Sequence, residues 1–101
     1  FMSGASDLAR AYALIGKKAD AARILNKVWA DAKSYADYYL QLTGSRFMMS
    51  QNDVLRQLYI MQNIADMTQA CDKNLADKRL KTVNALYAVY QAKGGTPYQG
   101  E

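Results

Sequence analysis

From Ala5 to Ala92 the apolar residues of this chain recur at spacings of three and four, and no stretch alternates as a half-buried strand would. The pattern predicts an all-α domain. A first helix spans about Ala5 to Ile15, with Leu8, Ala11, Tyr12 and Ile15 on one face, and Gly16 stands where a left-handed residue ends a helix. Lys17 and Lys18 make the turn. The second helix starts near Ala19 or Asp20 and carries an unbroken apolar series: Leu25, Val28, Trp29, Ala32, Tyr35, Ala36, Tyr39 and Leu42. With no Gly or Pro before Gly44, it reads as one element of about 24 residues, roughly 36 Å long at ~1.5 Å per residue. Tyr38 falls off this stripe.

Gly44-Ser45-Arg46 ends the second helix, and Ser50-x-x-Asp53 spells a capping box for the third, with Met49 set to pack on Val54 as a hydrophobic staple. The third helix continues through Val54, Leu58, Met61, Ala65 and Thr68, beside Leu55, Ile64 and Cys71. That face makes Cys71 a buried, inert thiol. After a break near Lys73-Asn74, a fourth helix from about Leu75 to Ala92 turns Leu80, Val83, Leu86, Tyr87 and Tyr90 inward. Residues 1–93 thus form one helical domain, and 94–101, "GGTPYQGE", read as a disordered tail.

Composition narrows the chemistry. The chain has 101 residues, half of them apolar, one cysteine and no histidine, so it lacks an internal disulfide, the commonest general base and the commonest metal ligand. Among its nine carboxylates no two stand three or four residues apart, so no helix face offers the pair that acid–base catalysis needs. Serine has no histidine partner and no glycine-rich phosphate loop occurs. No catalytic residue, metal site or cofactor is assigned, and no enzyme activity is expected of this chain.

The net charge of +4 is spread among aspartates. Asp7 with Arg10, Asp20 with Arg23, Asp53 with Arg56 and Asp77 with Lys81 are spaced as helix-surface pairs. The Lys78, Arg79 and Lys81 cluster reads as a solvated face, and no nucleic-acid motif accompanies it. Charged residues interrupt every apolar run, so direct membrane insertion is not expected. The opening residues carry neither a charged n-region nor an apolar h-region, and the chain reads as a piece of a longer protein with no signal peptide.

Residues 5–28, "ASDLARAYALIGKKADAARILNKV", resemble a tetratricopeptide helix pair: Leu8, Ala9 and Tyr12 match its first helix, Gly16 its turn, and Ala21, Leu25 and Val28 its second. Ala5 replaces the usual tryptophan. The expected architecture is this pair followed by two further helices in a four-helix, bundle-like array. Over residues 2–93 the segments "LARAYALIGKKADAARIL", "YADYYLQLTGSRFMMSQ", "LYIMQNIADMT" and "LADKRL" resemble the C-terminal tail of large multi-span bacterial membrane proteins, typical of Bacteroidetes and similar to protein O-mannosyltransferase-like glycosyltransferases. That resemblance implies a non-catalytic interaction or structural domain on the periplasmic side of the inner membrane. It would dock on its own membrane region or on another protein, with weak homodimerisation. Alternatives are a helical adaptor unrelated to sugar transfer and a small ligand-binding bundle. Tyr38, Arg46, Phe47 and Met48, gathered at one end of the bundle, form the candidate interaction surface, with further apolar surface at Phe1 and Met2.

Overall fold

The computed structural model describes residues 2–97 and, within these, side chains from Gly4 onward. The expected apolar edge at Phe1 and the Met2 side chain, and tail residues 98–101, lie outside that description. Five helices follow in order: α1 Met2–Leu14, α2 Lys18–Gln41, α3 Gly44–Met49, α4 Gln51–Thr68 and α5 Lys73–Ala92, with no strand among the described residues. The all-α expectation holds. Helix α4 occupies the centre, packing on α1, α2, α3 and α5. Val28 shares a core cluster with Ile64, and Leu40 one with Val54, so α2 and α4 run in opposite directions.

Gly16 does what its position predicts. At φ 84° it closes α1, with its own N–H donating to Ala13 O at 3.1 Å and the Lys17 N–H reaching Tyr12 O at 2.8 Å. This bond pair satisfies the carbonyls that a helix end leaves without partners. The inward face of α1 sits one residue away from the expected one: Ala9 is buried and Ala5, Tyr12 and Ala13 pack beside it, while Leu8, Ala11 and Ile15 face out. Ala9 meets Ala21 where α1 crosses α2, and two small side chains allow an approach that leucine would block.

The element not foreseen is α3. Gly44–Met49 forms one and a half helical turns rather than a loop, and its purpose is visible in Phe47, which is 2% exposed with its ring 5.9 Å from that of Tyr90. Six residues with one inward side chain leave no periodic trace in a sequence. The capping box is absent: Ser50 has φ −103°, ψ 7°, and its hydroxyl donates to Arg46 O at 2.8 Å instead of accepting from α4. Met49 points into solvent, so there is no staple on Val54. Helix α5 does have a side-chain cap, since Asp72 in extended backbone accepts from Leu75 N at 3.0 Å, and the helix begins at Lys73 rather than Leu75.

The core divides in two. One cluster joins Ala32, Ala36, Leu40, Phe47, Val54, Leu58, Met61, Val83 and Tyr90; the other joins Ala9, Ala21, Leu25, Val28 and Ile64. Trp29 and Ile60 pack against both. Tyr35, expected on the inward stripe of α2, is exposed, and Leu40 takes the inward position near the helix end. Of the four anticipated surface pairs only Arg23 with Asp20 forms; the other ion pairs among the described residues, Lys27 with Asp31 and Lys33 with Asp37, are also on α2.

Residues 94–97, expected to begin a disordered tail, fold back over the end of the first cluster. The Tyr90 hydroxyl donates to Thr96 O at 2.5 Å, and Gln51 Oε1 accepts from Thr96 N at 2.8 Å and Thr96 Oγ1 at 2.9 Å. Gly95 lies against the face of the Tyr90 ring, where a Cβ would overlap it. Gly95→Ala is therefore expected to lower stability by about 1–3 kcal/mol through overpacking, read from chemical denaturation with an unchanged m-value. Burial raises the Tyr90 phenol above its ordinary value of 10.0, Thr96 hydrogen bonds oppose this and Tyr87 adds to it. The folded state thus holds this proton longer, and its contribution to stability is complete below pH 10 and lost as pH rises further. A pH series of denaturation midpoints, flatter in Tyr90→Phe, checks the sign.

Candidate functional site

The inward stripe of α5 reads Ala76, Arg79, Val83 and Tyr90, so helical geometry carries a guanidinium to a position otherwise held by apolar residues. Arg79 is 6% exposed. This corrects the expectation of a solvated Lys78, Arg79 and Lys81 face for Arg79, while Lys78 and Lys81 are exposed. Arg79 Nη1 donates to Thr68 Oγ1 at 2.9 Å and Nη2 to Asn26 Oδ1 at 2.6 Å, while its central carbon stands 5.1 Å from the Trp29 ring centre. Thr68 is suited to this because its own proton goes to Ile64 O at 2.6 Å, leaving its oxygen to accept. Helices α2, α4 and α5 are thereby joined through one side chain.

The charge itself is not neutralised locally. No carboxylate among the described residues forms an ion pair with Arg79, and its buried Nε has no acceptor. Burial lowers the pKa of the group, and the charge of the Asp72 carboxylate pulls it partly back. An arginine keeps its proton under such conditions. The site is a fixed buried cation held by two neutral oxygens and an aromatic face.

A cleft of about 260 Å³ opens beside it, between the first turns of α2 and the α4–α5 connection. Lys18, Asn26, Thr68, Cys71, Asp72 and Arg79 supply its polar lining. Cys71 is a free, half-buried thiol here rather than the fully buried one expected. A second cleft of about 240 Å³ lies between α1 and α4, mostly apolar, bordered by Ala13, Leu14, Leu25 and Met67. Among the described residues no three His, Cys, Asp or Glu side chains converge to hold a metal ion.

The residues singled out as an interaction surface separate. Tyr38 is 53% exposed with its ring edge-on to Tyr39, Arg46 is exposed, and Met48 is 54% exposed. Phe47 is withdrawn into the core, because α3 rotates it inward and sends Met48 outward. Met49, at 84% exposed, was not anticipated on this surface. Arg79 was also missed, although Ala76, Arg79, Val83 and Tyr90 at helical spacing place it on the inward stripe of its own helix.

Removing one acceptor tests the junction. Thr68→Val leaves the Arg79 Nη1 group without its partner and is expected to cost about 1–3 kcal/mol. In an Arg79→Leu background the same change should cost much less, because the stranded donor is gone. Equal costs in both backgrounds, measured by denaturation, would show that the two side chains are not coupled.

Comparison with protein-family models, curated proteins and solved structures finds no match to this chain.

Proposed function

We propose that this is a non-catalytic interaction domain whose binding corner is the end of α2 together with α3. The observation that carries the reading is the mounting of Met48 and Met49. Both project outward from a short helix that Phe47 anchors in the core, near exposed Tyr38 and Arg46. Methionine and tyrosine offer adaptable apolar contact, and an arginine at the edge supplies direction, a composition typical of protein-binding surfaces.

The finer reading follows the resemblance described above. The domain would be the C-terminal tail of a multi-span membrane protein similar to glycosyltransferases, facing the periplasm and docking on its own membrane region or on a partner protein. No helix among the described residues is long and apolar enough to cross a membrane. The sugar chemistry of such a parent would belong to its membrane part.

Exposed apolar surface of this kind favours weak self-association in isolation. Sedimentation equilibrium should detect it at high concentration, and Met48→Ser with Met49→Ser should abolish it without changing the melting temperature. Association unaffected by the double change would sink this corner as the contact. Phe47→Ser, in contrast, should cost about 3–5 kcal/mol, as expected for a large core side chain.

A further inference from the structure

A buried cation with no carboxylate at ion-pair distance is an uncommon arrangement, since an ionised group taken from water normally finds a direct counter-charge, and Asp72 acts on Arg79 only across the cleft wall. Arg79 has only neutral acceptors, its Nε has none, and the residue forms part of the wall of the α2/α4–α5 cleft. A separate feature of the same cleft points the same way. Helix α2, 24 residues long, starts there without a side-chain cap: Lys17 at the N-cap makes no such bond, and Lys18 and Ala19 line the opening. The first-turn N–H groups of a helix lack intrahelical partners and carry its positive pole.

We propose that this cleft binds a small oxyanion, a carboxylate or phosphate group, between Arg79 and the Lys18 end of α2. Its volume of about 260 Å³ suits a compact anion with a short apolar body, which Ala22, Leu25 and Leu75 would contact. The binding is separate from the α2–α3 corner and does not depend on it. Asp72 is the one carboxylate on the cleft wall. Its Oδ1 accepts from Leu75 N, and its charge opposes an incoming anion.

Two substitutions of opposite sign test the site. Lys18→Gln removes an attracting charge from an exposed position, and Asp72→Asn removes the repelling one while keeping a good helix cap. The wild-type chain and both variants are titrated with sodium phosphate and, separately, sodium acetate at constant ionic strength set by sodium chloride, following the amide shifts of Lys18, Ala19 and Ala22. Saturating shifts are expected with at least one anion, weakened about threefold by Lys18→Gln and tightened about threefold by Asp72→Asn, the scale of one partly screened charge. Saturation by phosphate alone assigns a phosphate ligand, and by acetate alone a carboxylate. Linear shifts with both anions, or affinities that neither variant alters, overturn the proposal.

Discussion

The structure depends on bringing one guanidinium out of water. Desolvating an ion costs several kcal/mol even after relaxation, and Thr68, Asn26 and the Trp29 ring offset part of this for Arg79. Asn26 and Trp29 come from α2, Thr68 from α4 and the guanidinium from α5, so the contacts form only when the three helices are in register. Apolar stripes tolerate sliding by a fraction of a turn; a planar fork aimed at two oxygens does not. Such polar junctions exchange stability for a single arrangement of helices, and here the exchange is made at Trp29, which packs against both core clusters.

The rest of the packing follows from what surrounds that point. Helix α4 contacts every other helix, and its inward residues Val54, Leu58, Met61 and Ile64 serve both clusters in turn. Small residues set the distances: Ala9 against Ala21 for α1 on α2, and Ala32 and Ala36 along the α2 seam. Larger side chains, Phe47 and Tyr90, close the first cluster at the end where α3 and the last residues of α5 meet.

Long periodic elements were legible in the sequence because period alone defines them. The extent of α2 and the end of α1 at Gly16 agree with the pattern to within a few residues. Side-chain direction was less legible. The α1 face differs by one position because alanines, which weigh little in a hydrophobic stripe, are what close packing requires. A capping-box motif at Ser50 was overridden because the chain passes from α3 into α4 while Ser50 bonds backward to Arg46. Arg79 escaped notice because charge was read as exposure, and Phe47 was placed on the surface because a six-residue helix has no period to mark its inward side. The exposure of Tyr38 was legible because it falls off the α2 stripe; the cleft was not, since its walls come from residues up to 61 positions apart, Lys18 and Arg79.

The fold-back of Thr96 onto Gln51 changes how two helix ends can open. One amide oxygen accepts two donors from Thr96, 45 residues away in sequence, while Gly95 N donates to Tyr90 O at 2.9 Å. Helix ends ordinarily fray alone, with little free energy separating the closed from the open state. Here the last turn of α5 cannot loosen without releasing the first residue of α4. Local opening at the C-terminal end of α5 and at the start of α4 therefore belongs to one cooperative unit.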